Sequence, residues 1–119
     1  MTDSEHRQLV AQKWYEQDGY CGTCGLPLAP WVERCRKLGL GDGLELAHRI
    51  PRGKVVRKLG KAYEWHPKVL MLVCTRYGKR CNDGALIGAA HPLEEQALLD
   101  EIRGESVEQG MSRHQPLGA

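Results

Sequence analysis

Apolar residues recur at helical spacing in three parts of the chain. In residues 3–17, apolar side chains lie about one turn apart, and Thr2 with Glu5 fits the capping box that begins a helix. A second short helix is predicted over 30–38, because Pro suits its first turn and a Gly-rich segment follows it. A last helix is predicted over 91–103. The pattern therefore places a helix at each end of the chain and one between them.

The segments between these helices do not show the helical spacing of apolar residues. Alternating residues predict a strand over 44–50, and the apolar run 69–73 fits either a strand or a buried helix. The basic, Gly-containing segment 51–61 is expected to be a loop or a ribbon tip, and residues 82–90 can begin a helix. From residue 104 the chain is polar, so a disordered tail is expected over 104–119. The predicted fold class is α+β.

Composition limits how these elements can be held together. The 119 residues include no Phe, three Trp and four Tyr, so a single domain, expected over 1–103, has a thin apolar core and needs disulfides or a metal. The N-terminal residues form no apolar run and no stretch approaches about 18 apolar residues, so we expect neither a secretory leader nor a membrane span. A reduced, cytoplasmic location is therefore expected, where paired cysteines are more often zinc ligands than disulfides.

Four of the five cysteines form two pairs. Cys21 and Cys24 have the Cys-x2-Cys spacing that presents two thiolates from one turn to a tetrahedral Zn2+ ion. Cys74 and Cys81 can supply the other two ligands, although the six residues between them require an extra loop. Two unrelated buried cysteines are the alternative interpretation of this second pair. We expect a structural zinc site of four cysteines, with Cys35 as the spare thiol.

Basic residues are concentrated in the middle of the chain. Residues 34–81 carry thirteen Lys and Arg against three acidic residues, whereas the whole chain has a formal net charge of only +2. A basic centre between acidic ends is typical of a chain that meets a polyanion with one face. A solvated basic surface is the other interpretation.

The motifs occur in a recognisable order. Cys-x2-Cys is followed after about twenty residues by Glu-Leu-Ala-His-Arg-Ile-Pro-Arg-Gly at 45–53, then by an apolar run into Val73-Cys74, and then by Cys81-Asn82. This order resembles the HNH (His-Asn-His) endonuclease superfamily over roughly residues 20–90, and most of all its small zinc-binding members common in phages. The resemblance implies a small ββα-metal (HNH-like) core held by structural zinc, with the N- and C-terminal helices added, and phosphodiester hydrolysis in DNA.

The resemblance also assigns roles to residues. His48 is expected to be the general base, since a neutral imidazole can take a proton from the attacking water near neutral pH. Asn82 is expected to hold a catalytic Mg2+ or another divalent cation, with Glu45 or Asp83 as a further ligand. Five basic residues that follow the strand are expected to contact DNA phosphates: Arg49, Arg52, Lys54, Arg57 and Lys58.

Two positions differ from the family pattern and support other functions. Ala47 stands where an Asp or His ligand is usual, and Lys68-Val69 stands where the middle asparagine is expected. The alternative is therefore a catalytically degenerate HNH-derived zinc module that binds DNA or a partner protein without cutting. A third, weaker interpretation is a protein-binding zinc domain whose interface is formed by tryptophans: Trp14, Trp31 and Trp65.

Overall fold

A computed structural model describes residues 1–105 of the chain. It shows five α-helices and one two-stranded antiparallel sheet, so the predicted α+β class is confirmed. None of the helices in this part of the chain has the length and apolar character needed to cross a bilayer. In chain order the elements are α1 (Asp3–Glu16), α2 (Leu28–Lys37), β1 (Leu44–His48), α3 (Arg52–Leu59), β2 (Leu70–Cys74), α4 (Gly84–Ala90) and α5 (95–105).

The sheet places its two ends in different surroundings. β1 and β2 run antiparallel, with Leu44 opposite Cys74 and His48 opposite Leu70. Cys74 and His48 therefore lie at opposite ends of the sheet. All five residues of β2 are buried, which is why its sequence reads as an uninterrupted apolar run. This resolves the apolar run as a strand.

Local capping explains where several helices begin. The Thr2 hydroxyl accepts a hydrogen bond from the Glu5 N–H at 3.1 Å, as the capping box predicts. Asp83 caps α4 by accepting from the Leu86 N–H at 3.1 Å, so this helix begins after Asn82 rather than at it. The last helix begins at residue 95 and not at 91, and it is described through residue 105. The predicted tail lies, from residue 106 onward, outside the described residues.

The prediction of a loop or ribbon tip over 51–61 is wrong. The segment contains α3, which starts directly after Pro51 and ends at Gly60, whose φ of 106° suits glycine. Val55 faces inward and is fully buried, with Leu59 one turn later packed against the same core. The basic residues obscured this short apolar face, because only a few apolar positions mark a two-turn helix.

The apolar residues form two cores, one at each end of the sheet. The first surrounds the cysteines and includes α2 and α4, whereas the second lies where α3 and α5 cover the His48 end. The first core comprises Cys21, Leu28, Ala47, Met71, Leu72, Val73, Cys74, Cys81 and Ile87. The second comprises Ile50, Val55, Val69, Leu70, Leu99 and Ile102.

Gly43 allows the chain to pass closely under α2 before β1 begins. Its φ is +69°, and a Cβ built there would collide with Nε1 of Trp31 and lie 2.6 Å from Sγ of Cys35. Gly41 has a similar φ of +75°, but a Cβ built there would meet no atom within 4 Å.

We expect Gly43→Ala to lower the free energy of unfolding by about 1–3 kcal/mol more than Gly41→Ala, because overpacking adds to the shared backbone strain. Denaturant unfolding of both variants measures this; equal losses would contradict the close packing.

Candidate functional site

Four cysteine side chains converge at one end of the sheet. The sulfur atoms of Cys21, Cys24, Cys74 and Cys81 all lie within 4.8 Å of one another. The Sγ–Sγ distance is 3.7 Å from Cys24 to Cys74 and 3.8 Å from Cys74 to Cys81. A tetrahedral ion with metal–sulfur distances of about 2.3 Å separates its ligands by about 3.8 Å. The four thiols can therefore hold a metal ion such as zinc.

Backbone hydrogen bonds fix the Cys-x2-Cys turn against β2. The Gly22 N–H donates to the Leu72 carbonyl at 2.9 Å, and the Cys74 N–H donates to Sγ of Cys21 at 3.3 Å. The Thr23 hydroxyl donates to the Cys81 carbonyl at 2.6 Å. Both cysteine pairs are thus connected by hydrogen bonds before any ion is considered.

Gln17 is a structural residue that the sequence pattern did not indicate. Its amide donates to the Leu72 carbonyl and accepts from the Leu72 N–H, both at 2.8 Å. The side chain therefore pairs with β2 as a neighbouring strand would. It joins the end of α1 to the strand that carries Cys74. A glutamine just after a helix has no distinctive spacing, so the signal for this role is weak.

Three of the clustered thiols, those of Cys21, Cys74 and Cys81, have shifted pKa values. Burial raises the pKa of Cys21, but backbone N–H groups of Cys24, Cys74 and Thr23 outweigh it and lower the pKa to about 7. Burial and the neighbouring thiols raise the pKa of Cys74 to about 11, and burial raises that of Cys81. Because the thiolates repel one another, the cluster can carry its full charge only with a cation in its centre.

His48 is held by the segment that follows α3. Its Nε2 lies 2.7 Å from the Glu64 carbonyl oxygen, and its ring centroid lies 4.9 Å from that of Trp65. A carbonyl oxygen only accepts hydrogen bonds, so Nε2 carries the proton. In the neutral ring the lone pair is therefore on Nδ1, which can accept a proton.

Two of the predicted catalytic-metal ligands are brought together. Asn82 Nδ2 lies 3.0 Å from one carboxylate oxygen of Glu45, and Lys79 Nζ lies 2.6 Å from the other. Burial disfavours the charged carboxylate, but the hydrogen bonds from Lys79 and Asn82 outweigh it, and the pKa of Glu45 is lowered. The third predicted ligand, Asp83, is not part of this contact and caps α4 instead.

His48 is not part of the contact between Glu45 and Asn82. It lies three residues beyond Glu45 on β1, about 10 Å by strand rise, and alternation places the two side chains on opposite faces. Ala47 is fully buried in the first apolar core. Within residues 1–105, the cysteine cluster is the one group of three or more His, Cys, Asp or Glu side chains close enough to share an ion.

Two of the five predicted phosphate-contacting residues already have acidic partners. Arg52 lies 2.9 Å from the Glu64 carboxylate, and its guanidinium lies 5.6 Å from the Trp65 ring centroid. Lys54 forms an ion pair with Glu95. These contacts join α3 to α5 and to the segment around Glu64 that contacts His48. They neutralise part of the positive charge that was predicted to contact DNA phosphates.

The other three residues of that group have different surroundings. Nε of Arg49 is buried and has no hydrogen-bond partner. Arg57 and Lys58 are exposed on α3, and neither side chain forms an ion pair in the described part of the chain. The predicted group is therefore adjacent in space but not a uniform basic surface.

Comparisons with models of protein families, with curated proteins and with solved structures find no match to this chain. The functional site is therefore defined by its own geometry. That geometry consists of a four-thiol cluster, a half-buried histidine of fixed tautomer, and a carboxylate–amide pair between them.

Loss of one clustered thiol should remove the metal and unfold the domain. Structural zinc contributes about 10–16 kcal/mol in small domains, as much as the whole stability of most proteins. Cys81→Ala should therefore abolish metal content and the cooperative thermal transition. Cys35→Ala is the matched control, since Cys35 is equally buried but outside the cluster; it should retain one metal ion and lose about 1 kcal/mol. Metal retention by Cys81→Ala would contradict the site.

Proposed function

We propose that this chain is a metal-dependent DNA endonuclease of the HNH type, with His48 as its general base. The observation that carries the proposal is the hydrogen bond from His48 Nε2 to the Glu64 carbonyl, which leaves Nδ1 as a proton acceptor. The chain order of β1, β2 and α4 supports a ββα-metal core, in which α3 is inserted between the two strands.

The ion at the four cysteines is proposed to be structural Zn2+. Four thiolates complete a tetrahedral shell, so no position stays open for water or substrate, as is usual at structural zinc sites. The ion would hold the Cys-x2-Cys turn, the end of β2 and the start of α4 together. An intracellular location belongs to the proposal, because the ligands must stay reduced.

His48 would activate the water that attacks the phosphodiester. Nδ1 accepts the water proton, and the Glu64 carbonyl keeps the ring oriented and stabilises the positive charge that the imidazole acquires. The Trp65 ring, with its centroid 4.9 Å from that of the imidazole, would also restrict rotation of the His48 ring. Because the oxygen comes from the backbone, the tautomer does not depend on the protonation state of a neighbouring side chain.

Glu45 and Asn82 are the residues that would hold a catalytic divalent cation. A magnesium ion commonly uses only one or two protein oxygen ligands and takes the rest from water and substrate phosphate, so the Glu45 carboxylate and the Asn82 amide oxygen would be its two protein ligands. Such an ion supplies neutralisation of charge on the phosphate and the leaving oxygen. The Lys79 ammonium group contacts Glu45 at 2.6 Å, so a divalent cation would have to displace it from the carboxylate.

A second function is favoured by different observations. Ala47 is fully buried among apolar side chains, and the Glu45–Asn82 pair lies about 10 Å from His48 along the strand. A domain with this arrangement can bind DNA or a protein partner without cleaving it. The two functions share the fold and the zinc site and differ only in divalent-dependent hydrolysis.

Plasmid cleavage distinguishes these functions. We expect supercoiled DNA to be nicked or cut in the presence of Mg2+, Mn2+ or Ni2+, and His48→Ala to lower the rate at least about a hundredfold, as loss of a general base does. His6→Ala, which removes an exposed histidine from α1, is the control and should leave the rate unchanged.

The variants need unchanged metal content and thermal transitions for this comparison. Cleavage that persists in His48→Ala would exclude His48 as the base. Absence of cleavage with every ion, together with salt-sensitive DNA binding, would establish the second function instead.

The metal-ion dependence of cleavage tests the role of Glu45. Glu45→Gln weakens a carboxylate ligand and should raise the divalent-ion concentration for half-maximal rate by about tenfold or more. Lys79→Ala removes the competing ammonium and should lower that concentration by up to about fivefold. Titration of each variant with Mn2+ measures both shifts. Shifts of the same direction in the two variants would contradict a cation site on Glu45.

A further inference from the structure

The loop between the second pair of cysteines is held rigidly at its base. Cys74 and Cys81 both belong to the four-cysteine cluster, and their sulfur atoms lie 3.8 Å apart, so the two ends of the loop are held close together. The Thr75 N–H and hydroxyl both donate to the Gly43 carbonyl, at 3.0 and 3.1 Å. The unusual length between the ligands therefore produces a defined projection and not a slack connection.

This projection exposes an aromatic ring between two arginines. Tyr77 is 53% exposed, and its ring centroid lies 4.4 Å from the guanidinium carbon of Arg76 and 5.9 Å from that of Arg80. Both arginines are exposed. Across residues 1–105 neither side chain forms a hydrogen bond or an ion pair, so their donors are available to a ligand.

Several other basic groups of the central region are paired with acidic residues, whereas Arg57 and Lys58 are exposed and have no acidic partner within residues 1–105. Lys79, in the same loop, is neutralised by Glu45, and on α3 Arg52 and Lys54 are paired with Glu64 and Glu95. Arg76 and Arg80 are thus two uncompensated guanidinium groups held near each other by one ring. Guanidinium groups bind phosphate oxygens through two parallel N–H donors, and ordering by a ring reduces the entropy lost on binding.

We propose that Arg76 and Arg80, ordered by Tyr77, are the principal phosphate-binding site of this chain for the backbone of duplex DNA. The inference rests on the proposed function for its DNA partner, but it assigns the main contact to the cysteine-flanked loop instead of the residues after His48. β2 is about 13 Å long, so the two ends of the sheet are separated by about four base-pair steps of a duplex. One duplex lying along the hairpin contacts both the loop and the His48 end.

The test is binding of a short fluorescent DNA duplex by the full chain, without added divalent ions, at several salt concentrations. The variants are Arg76→Ala, Arg80→Ala and Tyr77→Ala. Arg7→Ala is the matched control, because Arg7 is an exposed arginine on α1 that forms no ion pair within the described range. All four positions are exposed, and metal content with thermal unfolding confirms that each variant is folded.

Replacement of either loop arginine by alanine should lower the affinity for the duplex about tenfold. The same replacement should also lower the slope of log affinity against log salt by about 0.9, the value of one phosphate contact. Tyr77→Ala keeps both charges, so it should weaken binding about threefold with an unchanged salt slope. Arg7→Ala should change neither quantity by a comparable amount. Excess inorganic phosphate at constant ionic strength should not displace the duplex, because a lone phosphate contacts only part of the site.

Three results would overturn the inference. They are affinities of Arg76→Ala and Arg80→Ala equal to that of Arg7→Ala, no duplex binding by the wild-type chain at low salt, or displacement of the duplex by inorganic phosphate. The binding test does not depend on cleavage. Loss of affinity in the loop variants with no plasmid cleavage would uphold this site while rejecting the nuclease, and cleavage with unaffected loop variants would do the reverse.

Discussion

The fold is organised around the convergence of four thiols on one point. This convergence joins the turn after α1 to the end of β2 and the turn before α4, although Cys24 and Cys74 are 50 residues apart in the sequence. A two-stranded sheet alone is marginally stable in water, and this chain has no Phe with which to enlarge its core. The hydrogen bond from the Cys74 N–H to Sγ of Cys21 shows that the strand end and the turn are positioned together.

The features that could be predicted from the sequence are those that depend on short-range chemistry. Cysteine spacing and the Thr2 cap depend on short, specific chemistry, and both are found where expected. Helix α3 was missed because its apolar face is short and surrounded by lysines and arginines. The strand-like pairing of Gln17 with Leu72 depends on tertiary contact over 55 positions, for which local periodicity holds no signal. The start of α5 was misplaced because Pro92 fits both a first turn and a break.

The candidate catalytic groups depend on long-range contacts to different degrees. The family resemblance placed Asn82 and either Glu45 or Asp83 at one metal site, and Glu45 does contact Asn82, because β1 lies against the turn that follows the loop. It gave no reason to expect the Glu64 carbonyl at His48 Nε2, since that contact requires α3 to turn the chain back toward the strand. The same return pairs Arg52 with Glu64 and reduces its availability to DNA. Charge counted along a sequence therefore overstates the charge that a fold leaves free.

One metal ion on four sulfur ligands is proposed to hold the sheet and the flanking turns together. X-ray absorption spectroscopy of the purified chain at the metal edge tests it directly. The expected spectrum is that of zinc with a single shell of four sulfur scatterers at about 2.3 Å and with no nitrogen or oxygen ligand. A shell with nitrogen or oxygen ligands, or a folded chain without bound metal, would contradict it.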